Sequence, residues 1–340
     1  MPQCWPRSGC AGTAYEEAST ESSRKEAVLS LGSCMTDPAA FLAEHWSQRP
    51  LLDRGAPERF SELLDEAEVE ELVGLRGLRL PAFRMVRGGT LIGTDSYTMT
   101  APLGQSEVSD LIDPERVVRL FDEGATLILR GLERVHPAIG SLCRALAADL
   151  GHPVRANSYV TPANAQGHGI HYDLHDVFVL QCSGRKHWKV YERQIVDPLP
   201  GDGADPYVRS EDLGATVVDE LLGPGDSLYI PRGWPHVAST TGEASIHLTL
   251  GVDVLTWLDV LGAVLERARG CAQLRASVPV VADGAAFEEG FRAASRTLMA
   301  LLEQIPPADL EKLIRDRGEA GQGPPARERW VPRSPSSGAT

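Results

Sequence analysis

The sequence is short of paired cysteines, of basic charge and of long apolar runs. Its cysteines, Cys4, Cys10, Cys34, Cys143, Cys182 and Cys271, form no CxxC and no even framework. That argues against a disulfide scaffold and against zinc held by thiolates. Free thiols are the expectation, with Cys143, Cys182 and Cys271 read as core filler. Lys and Arg number 33 against 47 Asp and Glu, a formal net charge of −14. Without a Lys/Arg cluster, such a chain is poorly suited to tracking phosphates, so no direct nucleic-acid binding is expected, whereas a basic partner would suit it. No apolar stretch approaches the ~18 residues of a membrane helix. The N-terminus has no apolar segment of the kind a secretory signal needs. These absences predict a soluble, cytoplasmic protein with no membrane partner. What is present is an ordinary globular composition, 42% hydrophobic and 24% charged over 340 residues, enough for about two domains.

Residues 1–34 are rich in Ser, Gly, Ala and Glu with little periodicity, and are expected to be a disordered extension. Met35 opens a better-formed stretch and is an alternative start of translation. In TDPAAFLAEHW, Thr36 or Asp37 can cap a helix with Pro38 in its first turn. Apolar spacing of three and four predicts helices over 57–75, in DPERVVRLFDEG, and in PAIGSLCRALAADLG, the last ended by Gly151. AFRMVRGG, SYTMTA and ATLILRGL read as strands between them. From 154 to 252 short strands recur: RANSYVTP, GIHYDLHDVFVLQC, KHWKVYER, DSLYIP and ASIHLTLGV. Such closely spaced runs predict an antiparallel sandwich or barrel. Ser183-Gly184 reads as a tight hairpin turn. After 253 the pattern is helical again, and 319–340 is a Gly/Pro/Ser-rich tail.

The sharpest chemical feature is His171-Tyr172-Asp173. On a strand, side chains two apart share a face, so His171 and Asp173 can bind one ion while Tyr172 faces away. GDSLYIPRGWPH offers a third ligand, His236, delivered by a Pro/Gly-rich loop. Two histidines and one carboxylate make a facial triad that suits octahedral iron(II) better than structural zinc. The residues alone leave the alternative open, because an HxD pair arises by chance and a loop histidine is usually a surface residue. Alternation in KHWKVY puts Lys186 on one face with Trp188 and Val190, predicted to point inward. A lysine there needs an anionic partner, for which a dicarboxylate is suited, unless it snorkels to water. Asn157, Tyr159 and Thr161 share a face in the same way. His175 reads as a neighbour of the triad or an exposed residue, His168 and His247 as hydrogen-bonded fixtures, and Asp176 as part of a turn or surface pair.

The run NSYVTPANAQGHGIHYDLHDVFVLQCSGRKHWKVYER, followed by GDSLYIPRGWPHVA and SIHLTLG, resembles the JmjC/cupin-type 2-oxoglutarate oxygenases. FLAEHWSQRPLL further resembles the ribosomal-oxygenase branch, so that the likeness covers roughly residues 36–280. It implies a mainly β (α+β) fold, a double-stranded β-helix with flanking helices. It also implies an oxygenase domain over 35–255, with a helical dimerisation region over 256–318 and at most a truncated winged helix. Iron(II) would be held by His171, Asp173 and His236, with 2-oxoglutarate chelating it and dioxygen taking the last site. Lys186 would pair with the distal carboxylate, with Asn157 and Ser245 as further cosubstrate contacts. The implied activity is hydroxylation of a protein or peptide side chain by a homodimer. A peptide natural-product precursor or a free amino acid is an alternative substrate, and a non-catalytic cupin scaffold is an alternative of another class. The family's Pro-rich approach to HxD is replaced here by His168-Gly-Ile170, so a different pocket edge is expected.

Overall fold

The computed structural model describes residues 31–199, 201–202, 207–279 and 284–320. Helix starts follow the side-chain caps in the sequence. Asp37 accepts the Ala40 N–H at 3.0 Å ahead of the helix Pro38–Glu44, and Asp113 does the same for Arg116 ahead of Pro114–Asp122. The run read as one helix over 57–75 divides into a 3₁₀ turn, Pro57–Phe60, and a helix, Glu66–Gly74. Asp65 makes the division by opening a capping box with Glu68, which satisfies N–H groups that a continuous helix would have bonded internally. The helix Pro137–Leu150 closes on Gly151, whose φ of +72° favours glycine. Residues 31–34, read as part of the disordered extension, are helical, with Leu31 and Cys34 buried and the Ser227 hydroxyl donating to the Cys34 carbonyl at 2.6 Å. The rest of that extension, and residues 321–340 of the tail, lie outside the described residues.

The main sheet is antiparallel and runs β1 (Leu51–Asp53), β11 (Ser227–Ile230), β8 (Asp176–Ser183), β13 (Ser245–Val252), β7 (Val154–Thr161), β6 (Thr126–Arg130), β2 (Phe83–Arg87) and β3 (Thr90–Leu91). A smaller sheet carries β10 (Thr216–Leu222), β9 (Lys186–Tyr191) and β12 (His236–Thr240), and β4 (Thr98–Leu103) pairs with β5 (Ser106–Ile112). Alternation along β8 decides which core each side chain joins. Phe178, Leu180 and Cys182 face the helices with Phe41, Phe60 and Tyr229. Val177 and Val179 face the small sheet, packing with Trp188, Val190, Leu222, Leu228 and Ile230.

Ser183-Gly184 does not close a hairpin, because β8 pairs with β11 and β13 whereas β9 pairs with β10 and β12. The turn instead carries the chain from one sheet to the other. Gly184 is required there: its φ is +60° and a Cβ would lie 1.8 Å from the Ala244 carbonyl oxygen. This change of sheet is what sets Lys186 of β9 across the small core from β7 and β13.

Candidate metal and cosubstrate centre

The HxD segment is not inside a strand. His171 makes an isolated bridge with His236, exchanging two backbone hydrogen bonds of 2.8 and 3.1 Å. The chain then leaves the ladder until β8 begins at Asp176. The Asp173 carbonyl accepts the Gly233 N–H at 2.9 Å, which ties the HxD loop to the Pro231–Pro235 loop. Gly233 has φ +78°, and a Cβ there would lie 2.1 Å from the Ile195 carbonyl oxygen. His236, read as a loop residue, opens β12. The bridge explains both differences, since pairing with His171 pulls each histidine into extended backbone.

These contacts gather one ligand-type atom from each of His171, Asp173 and His236 within 4.8 Å of one another. Each imidazole is oriented from behind: His171 donates from Nδ1 to the Gly169 carbonyl at 2.8 Å, and His236 from Nδ1 to the Trp234 carbonyl at 3.0 Å. That tautomer leaves both Nε2 lone pairs free, with His236 Nε2 3.6 Å from Asp173 Oδ2. Burial, and then the neighbouring His171, push the His236 pKa down to about 4. Burial alone would raise the Asp173 carboxyl, but His175, His236, His171 and His168 outweigh it and hold the group below the usual carboxylate range. A neutral His236 imidazole beside an ionised Asp173 carboxylate is the protonation state a metal requires of these ligands. The donor set therefore fits a divalent metal with open coordination positions.

The triad opens on a cavity of about 50 Å³, lined also by Tyr159, His168, Val177, Lys186, Trp188, Ala238, His247 and Thr249. A wider apolar groove of about 450 Å³, between the helices Glu66–Gly74 and Pro114–Asp122, holds none of these residues and has no comparable chemistry. Lys186, Trp188 and Val190 point inward, as the alternation predicts, while His187 and Lys189 do not. Lys186 is 3% exposed and donates to Thr161 Oγ1 at 2.8 Å, and Thr161 is 3.3 Å from Thr126 Oγ1. Burial pushes its pKa down to about 7, with no neighbouring charge opposing the shift.

The other sequence candidates separate. Asn157 accepts the Gly131 N–H at 3.3 Å and Ser245 accepts from Gln181 Nε2 at 2.9 Å, and neither lines the cavity. Asp176, read as a surface or turn residue, is fully buried at the head of β8. Three donors compensate its carboxylate: the Tyr229 hydroxyl, the Arg232 N–H at 3.0 Å and the Ser47 hydroxyl at 3.3 Å. His168 is hydrogen-bonded, between Arg84 and Tyr207. His247, read the same way, has no partner for its buried Nδ1 among the described residues. Sequence reasoning overlooked His247 and Thr249 as lining residues, although their two-residue spacing on β13 already put them on one face.

A family model described as "JmjC domain" matches residues 134–260. The bifunctional lysine-specific demethylase and histidyl-hydroxylase NO66 of Aedes aegypti is 30% identical over 252 residues, 71% of this chain and 38% of that protein. Human ribosomal oxygenase 1 is 36% identical over 157 residues, 46% of this chain and 24% of that protein. The chain thus spans less than two-fifths of the length of these curated relatives. Among solved structures, Escherichia coli ycfD superposes with a TM-score of 0.53 at 20% identity, covering 82% of this chain and 70% of that one. The same fold in a cobalt and succinic acid complex of ycfD gives 0.51 at 21% identity, covering 81% and 68%. The sheet topology, the inward face of β9 and these likenesses agree: the protein has the JmjC/cupin double-stranded β-helix, and residues 134–260 are a JmjC domain.

Proposed function

We propose that this chain is an iron(II)- and 2-oxoglutarate-dependent oxygenase that hydroxylates a side chain of a protein or peptide. The observation that carries the reading is one cavity holding both an oriented His/Asp/His set and a buried lysine with no anionic partner among the described residues. In this reading His171, Asp173 and His236 hold the metal, and Lys186 receives the distal carboxylate of the cosubstrate. Asn157 and Ser245 act behind the cavity wall, through Gly131 and Gln181. The names of the relatives, ribosomal oxygenase and histidyl-hydroxylase, support a protein substrate, and the acidic chain suits a basic one.

Iron(II), 2-oxoglutarate and dioxygen together supply an oxidant strong enough to hydroxylate an unactivated C–H bond. The protein's own residues do the remaining work. The Gly169 and Trp234 carbonyls fix the tautomer of both imidazoles and aim their Nε2 atoms at one point. Val177, Trp188 and Ala238 form an apolar wall that excludes water from the reacting centre. Lys186 fixes the far end of the keto diacid, so that its keto acid end faces the triad.

The test is incubation with iron(II), ascorbate and 2-oxoglutarate against a panel of basic ribosomal and histone peptides, peptide precursors and free amino acids. A +16 Da product with matching succinate, lost in His236→Ala, is expected. Formaldehyde release would redirect the reading to demethylation. Absence of succinate across the panel would favour a binding scaffold. Exposed Trp257, Leu258, Leu261 and Leu265 on the helix Trp257–Ala268 support a homodimer in solution, whereas Val264 is already covered within the chain. Light scattering that returns a monomer at micromolar concentration would overturn the dimer.

A further inference from the structure

His247 has no role in the scheme so far, yet it is placed with care. It sits on β13, opposite Tyr159 of β7 and Gln181 of β8, and is 2% exposed. Its ring stacks on Tyr159 at 4.9 Å with an interplanar angle of 3°, and Trp188 meets it edge-on at 5.4 Å. The imidazole is thus clamped between two aromatic rings, and His247 lines the cavity that also contains Lys186.

A clamped, buried imidazole ordinarily has a hydrogen-bond partner, because an unpaired buried polar group is costly. Among the described residues Nδ1 has none, and the Nε1 of Trp188, on the same cavity, has none either. Nε1 of Trp188 is a donor and Nδ1 of His247 is one in one of its tautomers, and the Lys186 ammonium is on the same cavity. An incoming anion would give these three groups the acceptor that the described residues do not supply.

We infer that His247 is a second carboxylate-binding residue, donating a hydrogen bond to the end of the keto diacid that Lys186 receives. The inference rests on the oxygenase reading above. It predicts that selection for a dicarboxylic over a monocarboxylic keto acid depends on the imidazole as well as on the lysine charge. His247→Phe keeps the aromatic stack and removes both nitrogens. His247→Asn keeps a donor and removes the stack, and so controls for folding of the first variant.

The experiment is calorimetric titration of the cobalt-loaded full chain with 2-oxoglutarate and, separately, with 2-oxobutyrate, which lacks the distal carboxylate. In His247→Phe the affinity for 2-oxoglutarate is expected to fall at least tenfold, with 2-oxobutyrate changed less than twofold and cobalt affinity unchanged. His247→Asn is expected to retain more of the preference for the diacid than His247→Phe does. If His247→Phe binds 2-oxoglutarate within twofold of wild type, or weakens both acids equally, the inference is overturned while the oxygenase reading stands. If wild type binds neither acid in the presence of cobalt, the oxygenase reading fails and takes this inference with it.

Discussion

Replacing Lys186 by methionine should move stability and ligand affinity in opposite directions. The ammonium is held in the small-sheet core with only the Thr161 hydroxyl as a partner, and burial brings its pKa from 10.5 down to about 7. At 1.36 kcal/mol per tenfold change in ionisation, that displacement corresponds to about 4 kcal/mol of folding free energy at neutral pH. Methionine has similar length and no charge, so it removes this cost. It also removes one hydrogen bond to Thr161, worth about 1 kcal/mol. The net expectation is a gain of about 1–4 kcal/mol, the range seen when buried ions give way to apolar side chains. At roughly 2–4 °C per kcal/mol for a chain of this size, Tm should rise by several degrees. The same substitution leaves a bound distal carboxylate without its cation, which costs about 3–5 kcal/mol, or two to three decades of 2-oxoglutarate affinity. Differential scanning calorimetry and titration calorimetry on one cobalt-loaded preparation read the two effects. A methionine variant that loses stability and binds 2-oxoglutarate as wild type does would refute the reasoning and make Lys186 a structural residue.

Because Lys186 is half neutral near pH 7 when free and charged when paired, 2-oxoglutarate binding should take up protons above that pH. Affinity is expected to be flat below pH 7 and to fall up to tenfold per unit above it. A flat profile in buffers from pH 7 to 9 would contradict this. In the apoprotein the lowered lysine pKa means that the folded state binds fewer protons than the unfolded between pH 7 and 10.5, so this group's contribution to stability rises across that window. Asp176→Ala should cost more than about 2 kcal/mol in urea unfolding, since it strands the Tyr229 hydroxyl, the Arg232 N–H and the Ser47 hydroxyl. A change below ~0.5 kcal/mol would show that water replaces the carboxylate. Gly184→Ala should destabilise by about 3 kcal/mol or more, because its Cβ would meet the Ala244 carbonyl in a left-handed backbone position. Wild-type urea unfolding of that variant would disprove the close approach.

Local signals carried the sequence reading a long way. The cap at Asp37 marked a helix start because the cap interaction spans only three residues. The two-residue period of KHWKVY told which face of β9 is buried, and Lys186 is on it. Pairing between strands was less legible. Ser183-Gly184 looks like a hairpin locally, and only the long-range ladders of β8 with β13 and of β9 with β12 make it a crossing between sheets. Asp176 has the same difficulty, because its three donors lie 53, 56 and 129 residues away along the chain and none is visible in the HD dipeptide. The convergence of His171, Asp173 and His236 was readable from residue type, and the family resemblance sharpened it. The bridge that makes the convergence, His171 with His236, was not. The polar candidates on β7 and β13 divide for the same reason: Tyr159 reaches the cavity, while Asn157, and Ser245 that the resemblance implied, are taken up by neighbouring strands and loops.

The central claim is that one cavity holds both a metal and a keto diacid. Its most direct test is to add iron(II), then 2-oxoglutarate, to the anaerobic apoprotein and record the visible absorption spectrum, with His236→Ala and Lys186→Met alongside. The account predicts a charge-transfer band that needs both additions. That band should be absent in His236→Ala and should require much higher 2-oxoglutarate in Lys186→Met. No band in wild type at any concentration of either component, or an unchanged band in His236→Ala, would contradict it.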